Sequence, residues 1–142
     1  MKVYFSCSLT GGRNDQPTYA AMVAGMQAVG HEVLTAHLAQ PEVLVMEAAI
    51  DPETVYARDI AWIDEAEALV AEVSTPSHGA GYEIAYAVIS GKRVLCLAGE
   101  GARVSKMITG NPRLTFMRYE EVEQAVGLVA WFLGRGAEDR FG

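Results

Sequence analysis

The sequence predicts an α/β fold: a five-stranded parallel sheet in the flavodoxin- or Rossmann-like order 2-1-3-4-5, with helices on both faces. Three observations carry this. Five short apolar runs alternate with segments of helical spacing, and such alternation builds parallel strands joined by right-handed crossovers. Proline and glycine punctuate the helical segments, with Pro17 and Pro52 in first turns and Gly30 and Gly91 after last turns, where each residue type is favoured. A count of five strands favours the 2-1-3-4-5 order.

Val3–Leu9, rich in β-branched and aromatic residues, is strand one. Residues 10–15 are turn formers and make a loop. Tyr19, Met22, Val23, Met26 and Val29 then recur at helical spacing, and Gly30 ends that helix. Glu32–Thr35 is strand two. His37–Ile50, with Pro41 and mixed charges, reads as a loop holding at most a turn of helix. Asp51-Pro52-Glu53 starts a helix with a cap, a proline at its first position and an acid in its first turn. That helix reaches about Ala66. Ala68–Val73 is strand three, and Gly79–Ser90 covers the end of a loop and a third helix. Arg93–Leu97 is strand four, Val104–Ile108 a short helix, Leu114–Met117 strand five, and Glu120–Gly134 the last helix, followed by a frayed tail.

Composition bounds the function. The 142 residues suit a single domain, residues 1–142, since about 100–150 residues is the commonest domain size. Apolar residues at 51% and charged residues at 20% are ordinary for a globular protein. No apolar run approaches the roughly 18 residues of a membrane span. Met1-Lys2-Val3-Tyr4-Phe5 lacks the apolar core of a signal peptide, so a cytoplasmic location is expected. The net charge of −7 and the lack of a basic patch disfavour a nucleic-acid polymer as partner. Cys7 and Cys96 both lie in strand-like runs and read as buried free thiols. The three histidines have no metal-like spacing to the acids, so neither metal nor cofactor is expected.

In this fold ligands bind beyond the carboxyl ends of the strands, where the strand order reverses. That places the loop after strand one, Ser8–Arg13, beside the loop after strand three, Ser74–Gly81. The second loop runs into Ser77-His78-Gly79-Ala80-Gly81-Tyr82-Glu83. A carboxylate where a glycine-bearing loop turns into a helix sits beside free backbone N–H groups. That suits an anionic or sugar-like ligand, with Glu83 as nucleophile or base. Asp59, next to Ile60 on the second helix, borders the core, and Tyr4, inside strand one, needs a partner for its hydroxyl. Trp62 and Trp131 occupy helical apolar positions and read as core or interface, and His78 reads as an exposed loop residue.

Five segments together resemble a known family: Val3 to Arg13, Val33 to His37, Arg58-Asp59-Ile60-Ala61-Trp62, Val70 to Val73 followed by Pro76 to Glu83, and Arg103 to Ile108. In order and spacing they are similar to the 2'-deoxynucleoside 5'-phosphate N-hydrolases of the nucleoside 2-deoxyribosyltransferase superfamily. The resemblance implies cleavage of the N-glycosidic bond of a nucleoside 5'-monophosphate by a retaining mechanism. Carried over by motif, Glu83 is the nucleophile, Asp59 the acid or proton shuttle at the leaving base, and Tyr4 the residue that orients Glu83. Ser8, Leu9, Thr10 and Gly11, with Ser77 and Gly79, surround the sugar and hold the 5'-phosphate, and His37 lies near the base. The resemblance further implies a homodimer whose neighbouring subunit supplies Ser105 to the phosphate and Met107 to the shared wall.

The same resemblance separates hydrolase from transferase. Transferases of the superfamily carry Asp at the position of Ser77 and Asn at that of Ser105. A carboxylate at 77 would repel a phosphate, whereas a hydroxyl donates to it. The chain departs from the hydrolase pattern at Thr10, where those enzymes carry Arg. Arg13, three residues on, is the candidate substitute, and Lys106 a second nearby cation. Two other functions stay open at this point: a deoxyribosyltransferase exchanging bases, and a non-catalytic nucleotide-binding module on the same fold.

Overall fold

The computed structural model describes residues 1–9 and 15–135. Thr10, Gly11 and Arg13 therefore lie outside the described residues. The strands are β1 (Lys2–Ser6), β2 (Glu32–Val33), β3 (Ala68–Glu72), β4 (Arg93–Gly99) and β5 (Thr115–Tyr119). They pair in the order β2-β1-β3-β4-β5, every neighbouring pair parallel. The helices are α1 (Gln16–Ala28), α2 (Val43–Ala48), α3 (Pro52–Glu65), α4 (His78–Ile89), α5 (Lys106–Thr109) and α6 (Val122–Gly134), with a 3-10 turn at Ala36–Ala39. The strand order is the one the sequence predicts.

Successive residues of a strand face opposite sides, and here both sides are covered. Val3, Phe5, Ala68, Val70, Leu95 and Leu97 pack with Tyr19, Met22 and Met26 of α1 and Val129 and Phe132 of α6. Tyr4, Leu69, Ala71, Val94 and Cys96 pack on the other side with Ile63 of α3 and Ile84, Ala87 and Val88 of α4. The alternation decides where the chemistry lies. Tyr4 is placed on the α3/α4 side because it is one residue out of step with Val3 and Phe5. Cys7 and Cys96 are buried thiols, and burial pushes the Cys96 thiol up to about 12.

Caps follow the sequence signals. Asp51 Oδ1 accepts from the Thr54 N–H at 2.8 Å, and Ser77 Oγ accepts from the Ala80 N–H at 3.2 Å. Gly30 and Gly91 take φ of 95° and 81° just beyond α1 and α4, the left-handed geometry in which glycine avoids a Cβ clash.

The boundaries differ where side chains replace backbone pairing. Strand two is read as Glu32–Thr35 but ends at Val33. Thr35 Oγ1 instead accepts from the Phe5 N–H at 2.8 Å and donates to the Phe5 carbonyl at 2.6 Å. The hydroxyl thus closes the ladder while the backbone turns into the 3-10 turn. Strand one stops at Ser6 rather than Leu9. Strands four and five run two residues beyond their expected ends, to Gly99 and Tyr119, because Ser74 Oγ accepts from the Gly99 N–H at 2.8 Å and the Glu100 N–H donates to the Tyr119 carbonyl at 2.8 Å. The stretch read as a loop after His37 contains α2. That helix buries only Val43 and leaves Leu44, Val45 and Met46 exposed, so no apolar face marks it in the sequence. Val29 lies beyond the end of α1 and is exposed.

Candidate active site

Tyr4, Asp59 and Glu83 meet on the α3/α4 side of the sheet. Tyr4 is fully buried in β1, level with Leu69 of the adjacent β3. Glu83 sits on α4, beside Ile84, whose burial anchors that helix. Asp59 on α3 precedes the buried Ile63 by four residues, and such pairs share one helix face. Tyr4 Oη and Glu83 Oε2 are buried, and neither has a well-formed hydrogen bond among the described residues. They stand close enough for the phenol to favour the charged form of the carboxyl.

Burial pushes the Glu83 carboxyl up to about 7; the charge of Asp59 adds to the rise, while the Tyr4 phenol and the Arg58 guanidinium oppose it. Asp59 is also raised, mainly by burial, with Arg58 opposing. The Tyr4 hydroxyl is raised by burial and by both carboxylates, so it stays protonated. Two buried acids that feel each other hold protons as a pair rather than singly. Gly79 lies between the acid and the helix cap: a Cβ built there would be 3.9 Å from both Glu83 Oε1 and Ser77 Oγ.

A second group flanks Asp59. Arg58 Nε donates to Asp59 Oδ1 at 2.9 Å, and its two terminal nitrogens donate to Glu47 at 2.6 and 3.2 Å. Glu47 Oε1 also lies 3.1 Å from His37 Nε2. The Arg58 guanidinium covers the Trp62 ring at 4.8 Å, and His37 meets that ring edge-on at 5.7 Å. His37 is thus joined to Asp59 through Glu47 and Arg58.

Ser77 and Ser105, with Met107, line one cleft of about 430 Å³ between α4 and the α5 region, together with His78, Arg103 and Asn111. Tyr4, Asp59 and Glu83 are not among its lining residues. Ser105 caps α5, accepting from the Met107 N–H at 3.1 Å, and Met107 is 83% exposed. Ser8 is buried, and Leu9 is half-buried against the α1/α6 layer. Among the described residues no cluster of three or more His, Cys, Asp or Glu side chains is arranged to hold a metal ion.

Two acids emerge only in three dimensions. Glu47 lies in the stretch read as a loop. Glu72, fully buried at the end of β3, accepts from the Ser74 N–H and Ser74 Oγ at 2.8 Å and from Tyr119 Oη. Burial raises its carboxyl, and these donors pull it back. It fastens the loop before α4 to β5, while Thr75 Oγ1 ties that loop to Asp15 Oδ2 at 3.1 Å. The available signal for Glu72 was a charged residue inside an otherwise apolar strand.

The family model described as "Nucleoside 2-deoxyribosyltransferase" matches residues 3–128. A relative from Syntrophotalea carbinolica named "Putative 2'-deoxynucleoside 5'-phosphate N-hydrolase 1" is 41% identical over 126 residues, covering 87% of this chain and 88% of the relative. The 5-hydroxymethyl-dUMP N-hydrolase of Mus musculus is 39% identical over 137 residues, covering 92% and 79%. Among solved structures, a CMP N-glycosidase of Clostridium botulinum superposes with a TM-score of 0.69 at 17% identity, covering 93% of this chain and 99% of that one. That likeness is one of fold.

Proposed function

The chain belongs to the nucleoside 2-deoxyribosyltransferase family, and we propose that it hydrolyses the N-glycosidic bond of deoxynucleoside 5'-monophosphates, releasing a free base and deoxyribose 5-phosphate. The observation that carries this is the buried Glu83 with a carboxyl near 7 beside Tyr4 and Asp59. A module that only bound nucleotides would have no use for an acid whose burial costs stability. The names of the two relatives reported above support a 5'-phosphorylated deoxynucleoside as the substrate class.

In this reading Glu83 attacks the anomeric carbon and the C–N bond breaks. Its electron pair goes to the base nitrogen, which takes a proton from Asp59. Water then attacks the same carbon, gives a proton to Asp59 and releases Glu83. Tyr4 steers the carboxylate. Ser77 and Gly79, at the start of α4, receive the 5'-phosphate on backbone N–H groups and a hydroxyl, and Ser8, Leu9, Thr10, Gly11 and Arg13 complete the pocket from the first loop. His37 faces the base. A homodimer in which Ser105 and Met107 reach the neighbour's site, a single domain over residues 1–142, a cytoplasmic location and the absence of a cofactor complete the proposal. No described helix is long and apolar enough to cross a membrane.

The test incubates dGMP with and without free adenine. Guanine release alone is the expected result, whereas a new adenine nucleotide would identify a transferase and no change a binding module. In parallel, dGMP is expected to turn over faster than deoxyguanosine. Equal or better turnover of the nucleoside would overturn the role given to the phosphate.

Tyr4 supplies a pH prediction. Its phenol favours ionised Glu83, so Tyr4→Phe raises that carboxyl above about 7. The reaction needs the carboxylate, which is the form present at high pH. The acid limb of kcat/KM against pH is therefore expected to move to higher pH, with the loss at neutral pH partly recovered in alkaline buffer. An acid limb that stays in place would remove Tyr4 from this role.

A further inference from the structure

We propose that Glu47 is a positioning residue for the leaving-base side of the site: with one carboxylate it clamps Arg58 and His37, and through Arg58 it fixes where Asp59 stands and whether Asp59 keeps its proton. The inference rests on the roles given above to Asp59 and Glu83.

The geometry leaves Arg58 little freedom. Its Nε is bound to Asp59 and both terminal nitrogens to Glu47, while its flat face lies over Trp62. Adjacent residues on a helix do not normally face each other. The Arg58–Asp59 bond exists because the guanidinium is drawn along the helix surface to an acceptor outside α3. That acceptor comes from α2, the helix with only one buried residue. Glu47 is thus the polar link between a lightly anchored segment and α3, and its side chain is only 14% exposed. The same carboxylate orients His37. A carboxylate only accepts, so His37 Nε2 carries the hydrogen, and in the neutral ring Nδ1 is the acceptor.

The charges explain why an acid is needed at 47. Asp59 is faced by Arg58 on its own helix, Glu47 from α2, His37 from the 3-10 turn, Glu83 from α4 and the neutral phenol of Tyr4 from β1. Arg58 alone would draw the proton affinity of Asp59 down. Glu47 offsets part of that charge: it raises the proton affinity of Asp59, while Arg58 keeps its smaller help to ionised Glu83. Arg58 holds Glu47 itself well ionised.

The two halves of the pair must then act in opposite directions. Activity is lost as pH rises through the titration of Asp59, so this group sets the basic limb of the profile. In Glu47→Gln the unbalanced Arg58 charge is expected to move that limb to lower pH by about one unit, with kcat falling about tenfold, less than the roughly 10²–10⁴-fold of losing the acid itself. In Arg58→Gln the limb moves to higher pH, and in the double variant it returns toward its original place. Each variant is assayed by base release from dGMP between pH 5 and 10, with thermal melting to establish that it is folded. Limbs that stay in place, or that move the same way in both single variants, overturn the proposal. If Glu47→Gln melts below the assay temperature, Arg58→Gln and the double variant decide it. An Asp59→Asn variant of full activity would instead reject the role of Asp59, so the two failures are distinguishable.

Discussion

Replacing Glu83 by Gln is expected to abolish base release from dGMP, lowering kcat by at least about 10³-fold while the protein stays folded. Glutamine keeps the shape of the side chain but can neither attack the anomeric carbon nor stabilise positive charge on it. The substitution should leave nucleotide binding largely intact, because Ser77 and Gly79 lie a full helical turn earlier on α4. Binding without turnover in Glu83→Gln, measured by calorimetry with dGMP, is the expected pattern. Turnover above a tenth of the original would remove Glu83 from the mechanism.

The same variant is expected to be more stable than the parent at high pH. The folded carboxyl is held near 7, well above its usual range, chiefly by burial. A group whose proton affinity is higher in the folded state contributes stability while protonated and loses that contribution as pH rises from about 4.5 to about 7. Above pH 7 the parent therefore carries the full penalty of a buried charge, on the order of 3 kcal/mol, which Gln does not. Melting temperatures of parent and variant should part between about pH 4.5 and 7, stay apart by a constant amount above that, and converge near pH 4. Parallel curves would mean that Glu83 is solvated in solution.

Legibility of this fold follows from how each residue earns its place. Strand order and helix ends were readable because they depend on local chemistry: Pro17 and Pro52 at helix starts, Gly30 and Gly91 at positive φ, and alternation of strands with crossover helices. The motifs name Glu83, Asp59 and Tyr4 as candidates, and the two-residue period of β1 accounts for Tyr4 facing the helices that carry the acids. The second strand was overread because Thr35 continues the ladder with its hydroxyl rather than its backbone, which no period records. Glu47 was missed because its partner Arg58 is eleven residues away across an irregular segment. Glu72 was missed because its partner Tyr119 is brought to it only by the β3-β4-β5 pairing. A charged residue in an apolar strand marks Glu72 as unusual, but not which distant donor holds it.

Asp59→Asn is expected to cost about 10²–10⁴-fold in kcat on ordinary deoxynucleotides, and the size of the loss should depend on the leaving base. A neutral purine departs as an anion unless it is protonated, so its release needs the acid. A base already methylated at N7 carries its own positive charge and departs neutral. With 7-methyl-dGMP the Asp59→Asn variant should therefore approach the parent, whereas Glu83→Gln should fail on both substrates, because the sugar still needs its nucleophile. This pattern separates the two acids by chemistry rather than by the extent of damage. An equal loss on dGMP and 7-methyl-dGMP would mean that Asp59 acts on the sugar or holds the site together.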